Sequence, residues 1–157
     1  MRRIILLGVL VVSAAAYLIW GFATLDRRSD EVQIRSLIDF AQESIRDRNV
    51  QALMSCISRD YKDDEGLNYD RARLLAVQVF QIERPYDVTA RIRSIKVLGK
   101  RAELQVEGEA QFLDDGEVYK RHLVVHLRKE RVRHLWLIPT RVWKIIKVEG
   151  LGLDSLE

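Results

Sequence analysis

The sequence begins with a long apolar segment that carries no charge. Residues 4–25 read IILLGVLVVSAAAYLIWGFATL, interrupted only by glycine, serine and threonine. A helix rises about 1.5 Å per residue, so about 20 such residues cross the roughly 30 Å hydrocarbon core of a bilayer. The run is too long and too uniformly apolar for a buried core helix. It therefore predicts a transmembrane helix with Tyr17, Trp20 and Phe22 at the membrane interface, where amphipathic rings favour the headgroup level.

The flanks of this segment bear on whether it is cleaved. Arg2 and Arg3 form a short positive region, and residues 21–23 could serve as a small-x-small cleavage site. The apolar stretch is longer than the roughly 7–15 residues of a cleaved signal, which favours a retained signal-anchor.

The expected orientation of the anchor depends on the length of the domain that follows it. Arg27 and Arg28 favour a cytoplasmic domain, but a long domain translocates largely regardless of its charge. We therefore expect a single-pass anchor over residues 1–28 in the inner (plasma) membrane, with a cytoplasmic N-terminus. The domain over residues 29–157 is expected on the extracytoplasmic (periplasmic) side.

The net charge of +3 comes from the anchor region alone. Before residue 29 stand four arginines and one aspartate: Arg2, Arg3, Arg27, Arg28 and Asp26. The remaining residues are balanced in charge, and nucleic acids require a basic surface, so nucleic acid is not an expected partner. The clusters Lys100-Arg101 and 128–133 are interpreted as solvated turns at strand ends, with anionic lipid or a partner as the alternative.

Cysteine and histidine provide no obvious metal site. Cys56 is the single cysteine, which excludes a disulfide framework and a cysteine-based zinc site. His122 and His126 share a predicted strand and lie about 13 Å apart at 3.3 Å per residue, too far to hold one metal. His134 could approach one of them across a predicted turn. We expect no metal and no cofactor.

Three helices are predicted after the anchor. Asp30 is placed to cap the first, because a carboxylate accepts the free N–H groups of a first turn. Asn68 or Asp70 can cap the third, and Pro85 ends it. The predicted helices cover residues 30–48, 50–57 and 69–81.

From residue 88 the apolar pattern has a period of two. Apolar and polar residues alternate strictly over residues 101–113, which indicates a strand with one buried and one solvent-exposed face. A phase slip at residues 94–95 predicts a bulge, and residues 98–100 and 115–116 predict hairpin turns. Pro139 cannot donate to a ladder, which predicts a break or bulge there. The predicted strands cover residues 88–97, 101–113, 118–129 and 134–148.

This order predicts an α+β domain with three helices packed on a curved antiparallel four-stranded sheet. The run IDFAQESIRDRNVQALMSCISRDY over residues 38–61 resembles the opening of the nuclear transport factor 2-like superfamily, and RVWKI over residues 141–145 resembles its closing strand. The resemblance covers about residues 30–149. It implies a cone-shaped half-barrel with a pocket at its open end. The superfamily includes ketosteroid isomerases, SnoaL-like polyketide cyclases, dehydratases and many non-catalytic members.

The resemblance also allows the pocket chemistry to be compared position by position. Ketosteroid-isomerase-like members use a first-helix tyrosine, a carboxylate after the second helix and an acid on a later strand. Here those positions hold Phe40, then Asp64 or Glu65, then histidine, so two of the three groups are missing. Asp64 and Glu65 are the only catalytic candidates, and their strongly acidic run before Gly66 favours an exposed loop over a base. The candidate pocket residues are Phe40, Tyr61, His126 and Trp143, although a tryptophan at the position of Trp143 is more often sheet core.

Three functions remain open. The first is a membrane-tethered, non-catalytic binding module whose partner is another protein or a second copy. The second is a small-molecule isomerase or cyclase that uses Asp64 or Glu65 as its base. The third is a scaffold that resembles the bitopic inner-membrane components of type IV secretion systems, although the cytoplasmic tail of residues 1–3 is unusually short.

Overall fold

The computed structural model describes residues 28–134 and 138–152, together with Ser13, Ala16 and Tyr17, and omits the side chains of residues 133–134 and 138–139. The predicted transmembrane segment therefore lies outside the described residues, except for those three helical positions. Among the described residues no helix is long and apolar enough to cross a bilayer.

Contacts divide the chain into two compact units. One contains residues 29–130 and 143–157, and it holds the helices and most of the sheet. The other contains residues 1–28 and 131–142. All packing described below lies within the first unit.

Within residues 28–134, three helices precede the strands, as the sequence predicted: α1 (Asp30–Arg46), α2 (Val50–Cys56) and α3 (Tyr69–Phe80). Ser29, and not Asp30, caps α1, because the Ser29 hydroxyl accepts a hydrogen bond from the Val32 N–H at 3.4 Å. The helix ends before Arg48, which adopts a left-handed φ of 53°. Asn68 caps α3 by accepting from the Arg71 N–H at 3.0 Å.

Four strands form one antiparallel sheet in the order β1-β2-β3-β4: β1 (Tyr86–Leu98), β2 (Arg101–Phe112), β3 (Val118–His134) and β4 (Ile138–Glu149). The predicted bulge is confirmed, since the register shifts between Ile92 and Ser94. The predicted turn in residues 130–133 is wrong: β3 continues to His134. The break predicted at Pro139 does not interrupt β4, because Pro139 is the second residue of that strand.

The core lies between the helices and one face of the sheet. The even-numbered residues of β2 from Ala102 to Val106 are buried, and the alternating odd-numbered residues are exposed, as predicted. Leu104 and Leu127 are fully buried, and Leu127 pairs with Ala102 across the β2–β3 ladder. Burying each such side chain contributes about 1.5–3 kcal/mol to stability. The remaining core members are Ile34, Ile38, Ala41, Cys56, Tyr61, Val125, Trp143 and Ile145.

Candidate functional site

The segment between α2 and α3 is held against the outer edge of β4. Ile57 forms a parallel bridge with Ile145, and the Ser58 N–H donates to the Ile145 carbonyl at 2.8 Å. The Lys62 N–H donates to the Ile146 carbonyl at 3.1 Å. These bonds occupy two carbonyls of β4 and fix the loop that follows α2, which contains the predicted base candidates Asp64 and Glu65.

A buried tyrosine and a buried carboxylate lie at the centre of this loop. Tyr61 and Asp63 are each only 5% exposed, and the Tyr61 hydroxyl donates to Asp63 Oδ2 at 3.3 Å. Asp63 Oδ1 accepts from the Leu67 N–H at 2.8 Å. Both carboxylate oxygens are therefore used by donors of the same loop, which makes Asp63 a structural anchor.

The chemistry of Tyr61 follows from this environment. Burial, and then the neighbouring charge of Asp63, raise the pKa of Tyr61 above its usual range. The phenol therefore stays protonated further into the alkaline range than an ordinary tyrosine. Its hydroxyl donates within the loop.

The two predicted base candidates lie outside the core. The Asp64 side chain is 75% exposed and pairs with Lys147 at 2.7 Å. Glu65 is also exposed, and its Oε1 accepts from the Gly152 N–H at 3.1 Å. Both carboxylates therefore lie on the surface, as an exposed loop predicts.

The four candidate pocket residues do not converge. Tyr61 and Trp143 belong to the buried core, whereas Phe40 is 46% exposed on α1. His126 lies on the outward face of the sheet, opposite Glu103 across the β2–β3 ladder. The structure therefore brings together two of the four.

Trp143 of β4 lies in the core, beneath Lys129 of β3. Its indole Nε1 is buried and has no hydrogen-bond partner among the described residues. The Lys129 ammonium lies 5.3 Å from the centre of the ring and also pairs with Asp30. Trp143 thus packs as sheet core, with a cation over its face.

His126 belongs to a surface network of charges. Its Nε2 lies 3.0 Å from Glu149 Oε1, and its Nδ1 lies 3.9 Å from Glu103 Oε2. Lys147 is 2.8 Å from the same Glu149 oxygen, and together Lys147 and His126 lower the pKa of Glu149. Within the described part of the chain, no group of three or more histidine, cysteine or acidic side chains could hold a metal ion.

Sequence reasoning missed a second buried polar centre. Ser58 is 1% exposed, donates to Glu130 at 2.5 Å and accepts from the Asp60 N–H at 3.1 Å. Arg128 joins the network by pairing with Asp60 at 2.6 Å and with Glu130 at 2.7 Å. These four residues are far apart in sequence. The only sign of the network in the sequence is the high density of charged residues over 128–133.

Comparison with known proteins places the fold. No family model matches the chain, and no curated protein sequence matches it significantly. A solved NTF-2-like protein of unknown function from Shewanella oneidensis superposes with a TM-score of 0.62 at 13% identity, covering 78% of this chain and 98% of that one. A domain of unknown function with a cystatin-like fold from Nostoc punctiforme gives 0.61 at 13% identity, covering 81% of both chains.

A ketosteroid isomerase-like protein from Erwinia carotovora gives a TM-score of 0.50 at 12% identity, covering 80% of this chain and 99% of that one. At such identities the similarity shows the nuclear transport factor 2-like fold. It does not carry function, because one fold hosts many activities.

Proposed function

We propose that this chain is a membrane-tethered, non-catalytic binding module that presents a nuclear transport factor 2-like domain on the extracytoplasmic side of the membrane. Its expected partner is another protein or a second copy of the chain. The tether is proposed from residues 4–25, which form the longest apolar segment of the sequence.

The carboxylates after α2 support a non-catalytic role, because each is held by hydrogen bonds or an ion pair. Asp63 is buried, and both of its oxygens accept hydrogen bonds from the loop itself. Asp64 is paired with Lys147, and Glu65 accepts from the Gly152 N–H, both at the surface. A general base must be free to reach a substrate proton, so this arrangement disfavours the isomerase alternative.

The tether is tested on the full-length protein in its own membranes. Val11→Arg with Ala15→Arg places two charges within the apolar run, and each arginine near a helix centre opposes insertion by about 2.5–3.5 kcal/mol. Val11→Leu with Ala15→Leu is the matched control. We expect the unmodified chain and the leucine control to resist an alkaline carbonate wash and the arginine variant to be released. Release of the unmodified chain would refute the tether.

The partner is tested by crosslinking in intact membranes and affinity purification of the full-length chain. We expect a protein to be recovered in stoichiometric amount, either a second copy or another protein. Recovery of a defined multicomponent complex would favour the scaffold function. An uncrosslinked monomer would count against both. A reporter fused after Glu157 tests topology, and activity only in the cytoplasm would overturn the proposed side.

A further inference from the structure

Helix α3 is apolar on its inner face, yet none of its residues is buried. Tyr69 and Ala72 pack against the core. Helical residues four positions apart share a face, so Ala76 and Phe80 continue the face of Ala72 for two more turns. Both are only half-buried, and neither belongs to the core or to the side chains packed against it. The core therefore ends near Ala72, although the apolar face of α3 continues.

The sheet shows the same change along β2. Its inward-facing residues are buried as far as Val106, whereas the next three on that face are only half-buried: Gly108, Ala110 and Phe112. The described atoms within 4 Å of a Cβ built on Gly108 belong to β3, namely to Leu123 and Arg121. No described atom of α3 comes that close to Gly108. The inner face of this part of the sheet is therefore left partly uncovered.

Contacts at both ends of α3 place the helix across this part of the sheet. The loop that leads into α3 is bound to β4 through Lys62 and Ile146. At the other end, the Phe80 carbonyl accepts from Arg48, whose guanidinium carbon lies 4.9 Å from the centre of the Tyr86 ring in β1. Two apolar surfaces thus face each other without filling the space between them. We call this space the α3 groove, and its lining is Leu75, Ala76, Phe80, Gly108, Ala110 and Phe112.

The chain that follows β4 turns towards this groove. Gly150 and Gly152 both take positive φ, at 85° and 64°. The Gly152 N–H donates at 3.1 Å to Glu65, which lies in the loop before α3. A Cβ built on Gly152 would lie 3.5 Å from Nε of Arg121 in β3. The backbone at residue 152 therefore lies between β3 and the loop that leads into α3, at the edge of the α3 groove.

Arg121 projects from the inner face of the sheet. It stands opposite Gly108 in the β2–β3 ladder, and directly opposed residues share a face. Within the described part of the chain, no carboxylate forms an ion pair with it. The nearby carboxylates have other partners: Glu65 binds Gly152, Glu107 pairs with Arg93 and Glu109 pairs with Lys120. Arg121 can therefore accept a carboxylate that reaches the edge of the groove.

The next five residues of the sequence match the groove in chemistry and in length. Residues 153–157 read LDSLE, which combines two leucines with two carboxylates. Fully extended, such a segment spans about 17 Å. The apolar face of α3 from Ala72 to Phe80 extends about 12 Å at about 1.5 Å per residue. The segment is therefore long enough to follow the groove.

We propose that residues 153–157 dock in the α3 groove of their own chain, with Leu153 and Leu156 against its apolar lining and Asp154 paired with Arg121. In an extended segment, residues three apart point to opposite sides, so one leucine contacts α3 and the other contacts the sheet. Burial of the leucines drives the docking, because it removes apolar surface from water. The inference is independent of the membrane tether. A groove filled in this way leaves no room for a small-molecule substrate.

The test measures whether this segment shields the groove in the full-length protein in detergent. Ala76→Cys places a thiol on the lining of the groove. The matched control, Leu74→Cys, places one on the outer face of the same helix, where Leu74 is 59% exposed. The rate of reaction with N-ethylmaleimide, which is uncharged, reports the accessibility of each thiol. The native Cys56 is 1% exposed and burial raises the pKa of its thiol, so it does not react in the folded chain.

We expect Leu153→Ser with Leu156→Ser to raise the rate at position 76 several-fold and to leave the rate at position 74 unchanged. Leu153→Met with Leu156→Met keeps both side chains apolar and should change neither rate. An unchanged rate at position 76, or an equal rise at position 74, would overturn the docking. Ala110→Cys, on the sheet side of the groove, is a second reporter that should respond as position 76 does, and it serves if Ala76→Cys fails to fold.

Two further measurements test the ion pair and the origin of the docked segment. Arg121→Gln and Asp154→Asn should each raise the rate at position 76, and the double variant should raise it no further, because both changes remove the same pair. Additive effects would overturn the pairing. The rate at position 76 should not depend on protein concentration. A rate that falls as the concentration rises would show docking into a second copy and would overturn docking within the chain.

Discussion

Two adjacent aspartates after α2 have opposite environments. Asp63 is buried against Tyr61 and the Leu67 N–H, whereas Asp64 points to the surface and meets Lys147. The acidic run DDEG reads as one exposed loop, since nothing in it distinguishes one carboxylate from the next. Only the path of the loop over β4 selects Asp63 for burial.

This difference predicts unequal effects of substitution. Asp63→Ala leaves the Leu67 N–H and the Tyr61 hydroxyl buried without their acceptor, and should lower the free energy of unfolding by about 1.5–3 kcal/mol. Asp64→Ala removes an exposed ion pair and should change it by less than about 1 kcal/mol. Urea denaturation of the full-length protein in detergent, followed by tryptophan fluorescence, measures both. Equal losses would show that Asp63 is not the anchor of the loop.

At the scale of elements, the hairpins whose turns contain glycine were predicted well. Gly99 and Gly116 both take positive φ, at 60° and 75°, in the two turns that the sequence identified. The β3–β4 connection was misplaced because its charged residues resemble a turn. In the structure Arg128 and Glu130 lie inside β3 and bind Ser58 and Asp60.

A third glycine, at the end of β4, is needed for close packing. Gly150 has a φ of 85°, and a Cβ built on it would lie 2.5 Å from the His122 carbonyl oxygen. That oxygen belongs to the backbone of β3 and has little freedom to move. The C-terminal end of β4 therefore depends on glycine both for its conformation and for its clearance.

Substitution at two glycines separates these two requirements. Gly116→Ala meets no atom within 4 Å and should cost only the left-handed conformation, about 1–2 kcal/mol. Gly150→Ala incurs the same conformational cost and also the clash, which should add about 1–3 kcal/mol. Thermal unfolding of the two full-length variants compares them directly. A smaller loss for Gly150→Ala would contradict the close approach to His122.

At the scale of the whole molecule, ion pairs connect elements that are distant in sequence. Arg93 binds Glu107 across the β1–β2 ladder, Arg84 joins the chain before β1 to the β2–β3 turn, and Lys147 joins β4 to the loop after α2. The partners lower the pKa of Glu107, Asp114 and Glu149. Each of these carboxylates is therefore more easily ionised in the folded state than in the unfolded chain.

This linkage predicts the direction of the pH dependence. A carboxylate whose pKa is depressed by folding contributes its stability above the unfolded pKa of about 4, and loses it as the pH falls through the folded pKa. The urea midpoint should therefore fall on acidification below that range, and less steeply in high salt, which screens exposed pairs. Asp114→Asn should reduce the slope. A midpoint that is flat or rises on acidification would contradict the assignment.

The sequence by itself determined the order and type of the elements, the alternation of β2, the bulge in β1 and the balanced charge of the domain. These features follow from local periodicity, from turn residues and from the number of charged residues, none of which depends on tertiary contacts. The tertiary structure decided which carboxylate is buried and that β3 runs through its charged cluster. Those outcomes depend on contacts between residues far apart in sequence, such as Lys62 with Ile146 and Lys129 with Asp30, and no local pattern encodes them.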